Sequence, residues 1–169
     1  MNSLSRNNLY DQLVASLGIE FEEQIQGGAN YEVTIEHEGQ VHVSGMIPRV
    51  RGVVVVTGRV GQDVSLQDAQ FAAGICVLRA VAALRQTLGD LNRVRRILKM
   101  NVYVQSAPDF TQQSEVANGA SDMLYSIFFP IGGHTRTSIG VVQLPKNASV
   151  ELDLLVAVEP PFDQMPGLD

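Results

Sequence analysis

The stretch SLQDAQFAAGICVLRAVAALRQTLG, residues 65–89, decides the fold. Ser65 is a residue that caps helix N-termini, and Asp68 places a negative charge where the helix dipole favours one. Ala69, Ala72, Ala73, Cys76, Ala80, Ala83 and Leu84 then recur at three- and four-residue spacing, and Gly89 supplies a C-cap. The spacing predicts a helix over 66–88. Its alanine-rich face lets another layer approach closely. Cys76 lies on that face as a packing thiol, because no charged neighbour would depress its pKa. As the sole cysteine it can form no intrachain disulfide.

Downstream, Val94 to Gln105 alternates as a strand, with Leu98, Met100, Val102 and Val104 facing one way and Lys99, Asn101 and Tyr103 the other. Pro108-Asp109 opens a second helix over 110–128, with Val116, Ala120, Met123, Leu124 and Ile127 inward and Pro130 as its stop. Gly119, inside that helix, costs about 1 kcal/mol against alanine, so a close contact is expected there. After the Gly132-Gly133 turn, Thr135 to Leu144 and Val150 to Val158 read as strands. In the last one Glu151 and Asp153 oppose the apolar set.

Upstream, Tyr31 to Ile35 and Gln40 to Ser44 flank the turn Glu36-His37-Glu38-Gly39 and predict a hairpin. Val53 to Thr57 is a further strand by its β-branched composition. Leu4, Leu9, Leu13, Val14 and Leu17 suggest a short leading helix closed by Gly18. The expected organisation is an N-terminal helix and loop over 1–28, one domain over 29–159, and a proline-rich tail over 160–169. Two helices over one face of a mixed sheet make a two-layer α/β (α+β) sandwich. No third helical layer covers the other sheet face, so a homo-oligomer is expected.

The composition narrows the function. A chain of 169 residues with 45% apolar and 18% charged residues fits one folded domain. A net charge of −6 disfavours non-specific attraction to nucleic acid, although Arg93, Arg95, Arg96 and Lys99 cluster locally. His37, His42 and His134 lack metal-ligand spacing, so no metal is expected. No phosphate loop or dinucleotide fingerprint appears, so no organic cofactor is expected either. The start of the chain lacks a signal peptide's apolar core, and the run Val53 to Val56 is far too short to cross a bilayer. The expectation is a cytoplasmic protein without a membrane segment.

Chemistry concentrates in two places. Gly132-Gly133-His134-Thr135-Arg136-Thr137-Ser138 puts an arginine at the mouth of a strand, where its guanidinium can grip a carboxylate through two parallel hydrogen bonds, with Thr137 and Ser138 as hydroxyl donors. On the last strand Asp153, with Glu151 as its rival, is a carboxylate among apolar residues that can act as general base or acid on a water. Tyr31 can wall a pocket and donate its hydroxyl. His134 is a minor candidate.

These segments together resemble a known family. Thr135-Arg136-Thr137-Ser138-Ile139-Gly140-Val141, then Leu144-Pro145, then Val150-Glu151-Leu152-Asp153 is similar to the signature of the Rid family (reactive intermediate deaminase, also called YjgF). Val43-Ser44-Gly45-Met46-Ile47-Pro48 and Val102-Tyr103-Val104 with Asp109-Phe110 resemble its other blocks, in the right order over residues 30–158. The leading helix and the insertion Asn118 to Asp122 resemble the longer branch described as chorismate-mutase-like and labelled endoribonuclease.

The resemblance implies a chorismate-mutase-like fold and a homotrimer with a central barrel and clefts between subunits. It implies hydrolytic deamination of small enamines and imines, such as 2-aminoacrylate, to a 2-keto acid and ammonia. Arg136 then matches the arginine that binds the substrate carboxylate, Tyr31 a pocket tyrosine, and Asp153 the carboxylate that positions water. Three residues depart from the pattern: Asp153 is a methylene shorter than the usual glutamate, Ser138 stands where many members carry cysteine, and Met46 replaces a glutamine. A deaminase needs Arg136 and Asp153 in one cleft. A non-catalytic binder of small carboxylate metabolites would use the same pocket without a working base. An endoribonuclease would need the basic cluster as one exposed stripe.

Overall fold

The computed structural model describes residues 5–22 and 24–160. Leu4 of the expected leading helix and residues 161–169 of the expected tail lie outside them. Helix α1 (Arg6–Ser16) begins at Ser5, whose side chain accepts from Asn8 N, and Gly18 follows it with φ +63°. The hairpin strands are β1 (Thr34–His37) and β2 (Gln40–Met46). Glu38 and Gly39, both at positive φ, make the tight turn whose twist suits paired strands. The first strand starts at Thr34 and not at Tyr31, which leaves Tyr31 in the preceding loop.

The stretch Val53 to Thr57 does not form the independent strand expected of it. Only β3 (Arg49–Val50) and β4 (Val53–Val54) pair there, in a small hairpin of their own. Val53 and Val55 are exposed while Val54 and Val56 are partly buried, and the strand pairing ends at Val54.

Helix α2 (Leu66–Leu88) is capped as its sequence demands: the Ser65 hydroxyl oxygen accepts from Asp68 N, and Gly89 follows with φ +74°. It is long and apolar enough to cross a membrane by composition, but it is largely buried between the sheet and helix α3. Strand β5 (Val94–Gln105), helix α3 (Gln113–Phe128), strand β6 (Thr135–Val141) and strand β7 (Val150–Val158) complete the chain. The main sheet runs β1-β2-β7-β5-β6; β5 and β6 are parallel and the other neighbours antiparallel. This is an α+β fold with a mixed sheet, with α2 and α3 packed together over one face.

The inward side of β5 differs from simple alternation. Val94, Ile97, Met100, Val102 and Val104 are buried, whereas Leu98 is only partly so. Two register shifts against β7, between Val94 and Arg96 and between Ile97 and Lys99, insert extra residues and displace the period. Leu78, Leu84, Ile97, Leu124, Ile127 and Leu152 have almost no exposed surface. Each such burial contributes about 2 kcal/mol before the entropy of ordering. Helices α2 and α3 meet at Gly119, where an added Cβ would lie 2.7 Å from the Gln70 carbonyl carbon. That is the close contact its position in a helix implied.

Candidate functional site

A β-bulge opens a cavity beside Glu151. Strand β2 pairs with β7 up to Val43 and again at Met46, so Ser44 and Gly45 leave the ladder. Ser44 turns to the segment before β1, its N–H donating to Val33 O and its hydroxyl to Glu32 O at 2.7 Å. Into the gap comes the carboxyl group of Glu151 from β7; a Cβ at Gly45 would overlap its Oε1 and stand 3.0 Å from its carboxyl carbon. The cavity holds about 200 Å³ and is lined among others by Tyr31, Gly45, Arg49, Arg79 and Glu151. Burial first, and the charge of Asp153 second, push the Glu151 pKa above its ordinary value. The carboxyl group thus holds its proton more tightly than an ordinary glutamate does.

The floor of the cavity is cationic. Arg79 projects from the middle of α2 and is only 5% exposed. Its Nη1 donates to Arg49 O at 3.3 Å and lies 3.6 Å from Glu22 Oε1. Arg49 Nε lies 3.3 Å from the same Glu22 oxygen without hydrogen-bond geometry. Glu22 belongs to the segment between α1 and β1, which is tied down by Gly52 N donating to Glu22 Oε1 and Ile25 N donating to Gln86 Oε1, each at 3.1 Å.

Arg136 occupies a different place in the same chain. It is the register partner of Met100, so it lies on the helix side of edge strand β6. Its Nη1 donates to Asn118 Oδ1 at 2.9 Å and to Ser121 Oγ at 3.0 Å, and its Nη2 to Ser114 O at 3.3 Å. Ser138 shares that side, its hydroxyl 3.3 Å from Ser114 Oγ. His134 Nδ1 lies 2.7 Å from Gly132 O, which assigns the proton to Nδ1 and leaves Nε2 to accept from Ser121 Oγ at 3.1 Å. Thr137 points to the opposite side, where Lys99 Nζ donates to its hydroxyl at 2.7 Å.

Asp153 also lies on that opposite face, accepting from Asn101 Nδ2 at 2.8 Å and from the Tyr103 hydroxyl at 3.0 Å. Within one chain, therefore, Arg136 and Asp153 stand on opposite faces of the sheet and do not share a cleft, so one chain does not build the deaminase site expected from that pair. Both groups fell on strands whose alternation was legible, but the register of β6 on β5 sets which faces match. What the fold brings together is Tyr31 and Glu151, the rival carboxylate. Sequence reasoning missed Arg79, Arg49 and Glu22. The one available signal was a lone arginine inside the apolar run Val77-Leu78-Arg79-Ala80-Val81.

Cys76 is fully buried, and burial raises its pKa well above the ordinary thiol value, which makes it a packing residue. Among the described residues no three His, Cys, Asp or Glu side chains gather as a metal site. The basic cluster is dispersed: Arg93 donates to Glu36 and to Glu159 O, Lys99 is engaged with Thr137, and Arg95 and Arg96 are exposed.

A family model described as "YjgF/chorismate_mutase-like, putative endoribonuclease" matches residues 11–158. The chain is 43% identical over 141 residues to Protein TCP17 of Trypanosoma cruzi, covering 83% of this chain and 88% of that protein. The crystal structure of Atu1372 from Agrobacterium tumefaciens, titled as of unknown function, is 35% identical and superposes with a TM-score of 0.83 over 91% of this chain and 95% of that one. A "putative endoribonuclease" from Shewanella oneidensis is 25% identical, with a TM-score of 0.81 over 88% and 99% of the two chains. Sequence blocks, sheet order and these likenesses agree, and the chain belongs to the Rid/YjgF family.

Proposed function

We propose that the protein is a hydrolytic deaminase of small 2-imino acids and their enamine tautomers, such as 2-aminoacrylate. Glu151 is its proton-transferring group, and Arg136 of a neighbouring copy holds the substrate carboxylate. The observation that carries this reading is the Glu151 carboxyl group itself, brought into a small cavity beside Tyr31 and Gly45 with a raised pKa.

The reaction needs one group that both takes and gives a proton. Water attacks C2 of the imine, the C=N electron pair moves to nitrogen, and the Glu151 carboxylate takes the water's proton. Protonated Glu151 returns that proton to the amino nitrogen of the tetrahedral intermediate. The C2 hydroxyl then becomes the keto group, its proton passing through the Glu151 carboxylate to the departing nitrogen, which leaves as ammonia. One water enters, and one keto acid and one ammonia leave. A carboxyl group moved toward neutral pH serves both steps better than an ordinary glutamate. Asp153 takes an indirect part: its charge helps to hold the Glu151 pKa up. Tyr31, half-exposed at the mouth, offers its hydroxyl to the substrate. Thr137 and Ser138 flank Arg136 on its strand.

The neighbouring copy enters because Arg136 and Glu151 do not meet within one chain. The assembly proposed is a homotrimer whose sheets enclose a central barrel. Its support is the outer sheet face, which no layer covers among the described residues. Leu155 and Ala157 are half-buried on it, and Ile139 is 47% exposed.

Ammonia release from 2-aminoacrylate generated in situ by a dehydratase tests the proposal. Wild type accelerates it, Glu151→Gln loses most of the acceleration, and Arg136→Ala raises KM. No acceleration by wild type overturns the deaminase reading and leaves a binder of small carboxylates.

A further inference from the structure

Arg136 answers for one carboxylate of the substrate, yet the Glu151 cavity contains two more guanidinium groups with no task in that reaction. Arg79 and Arg49 face it together and share a single carboxylate, Glu22. Among the described residues, two cations there stand against one anion. The contacts are loose as well. Neither Glu22 contact, at 3.3 and 3.6 Å, is a hydrogen bond, and Arg49 Nε and Glu22 Oε2 have no hydrogen-bond partner among the described residues. Arg79 is 5% exposed and uses only Nη1, toward Arg49 O. Its remaining N–H groups form no hydrogen bond among the described residues. Nor does Glu151 neutralise it, since the two form no ion pair.

A planar guanidinium with an unused edge fits a carboxylate bidentately, and in a site of low dielectric such a pairing is stronger than in water. Glu22 meets the two guanidinium groups from outside the cavity lining and offsets only part of their charge.

We infer that the cavity selects imino acids carrying a second carboxylate at the end of a short side chain, that is, dicarboxylic 2-imino acids of four or five carbons, with Arg79 and Arg49 reading the distal acid group. The inference rests on the reaction proposed at Glu151. The substrate lies with its imine carbon at Glu151 over Gly45, its α-carboxylate toward the mouth and its distal carboxylate on the Arg79 floor. Arg79 and Arg49 are specificity-determining residues, and neither moves a proton.

Calorimetric titration of the full chain with product-shaped acids tests this. 2-Oxoglutarate is expected to bind at least about tenfold more tightly than 2-oxobutyrate, which lacks the distal acid. Arg79→Met removes that preference and leaves 2-oxobutyrate affinity within about twofold. Glu22→Gln, which removes the counter-charge the two guanidinium groups share, tightens 2-oxoglutarate binding and leaves 2-oxobutyrate unchanged. Should Arg79→Met fail to fold, Arg49→Gln must narrow the preference and Glu22→Gln must widen it. Equal wild-type affinities for the two acids overturn the inference. So does a loss of both acids in Arg79→Met, which would make Arg79 the α-carboxylate grip. Binding preference without ammonia release sinks the deaminase reading alone, and deamination without acid preference sinks this inference alone.

Discussion

Gly45 has no side chain where the Glu151 carboxyl group needs the room: a Cβ on Gly45 would overlap Oε1 and lie 3.0 Å from the carboxyl carbon. The atom that would be displaced is the free end of a flexible side chain, so the fold can yield there cheaply. The chemistry cannot, because a misplaced proton-transfer group loses its reach. Gly45→Ala is expected to lower kcat/KM for 2-aminoacrylate by about a hundredfold while the melting temperature stays within a few degrees of wild type. Parallel kinetics and thermal melts decide this. A large drop in stability with activity retained would show that Gly45 serves the bulge instead.

The raised Glu151 pKa carries a stability consequence of definite sign. The folded protein holds the Glu151 proton more tightly than the unfolded chain does. The stabilisation this provides is full below the ordinary carboxylate value of 4.5 and is lost as pH rises through the folded value. Glu151→Gln cannot ionise and loses nothing. The variant is expected to gain stability relative to wild type as pH rises from about 4 to neutrality, although it loses activity. Denaturant titrations at several pH values measure the difference. A difference that shrinks with rising pH contradicts the assignment.

Asp153 contributes to that shift through its charge. Asp153→Asn is expected to move the acid limb of the pH–rate profile to lower pH, with the plateau kcat reduced no more than about threefold. A loss of about a thousandfold or more in kcat at every pH would return the water-positioning role to Asp153.

Gly119 tests the layer packing rather than the chemistry. Its Cβ would strike backbone atoms of Gln70, with the carbonyl carbon at 2.7 Å and the Cα at 2.8 Å. Backbone cannot rotate away, so α2 and α3 must separate. Gly119→Ala is expected to destabilise by about 1–3 kcal/mol, despite alanine's better helix propensity. Chemical denaturation reads this directly, and a neutral or stabilised variant would show that the helices adjust freely.

Much of the architecture was legible because its signals are local. The alanine spacing from Ala69 to Leu84, the Ser65 and Gly89 caps and the alternation of Val150 to Val158 depend only on residues a few positions apart. The family blocks were legible for the same reason. The strand expected at Val53 to Thr57 shortened to Val53–Val54 because β-branching states a preference without stating what the strand would pair with. The inward set of β5 was displaced because its bulges exist only against β7.

The sequence by itself determined most of the elements, the two-layer arrangement and six side chains capable of chemistry: Tyr31, Arg136, Thr137, Ser138, Glu151 and Asp153. Only the tertiary structure decided which of them meet. Tyr31, Arg79 and Glu151 are separated by up to 120 positions and line one cavity at a bulge. Arg136 and Asp153 are only 17 positions apart and face away from each other. Periodicity records which side of its own element a residue takes. Strand register, bulge position and the path of the chain between elements set the relation of one element to another, and those arise from the packing of the whole domain.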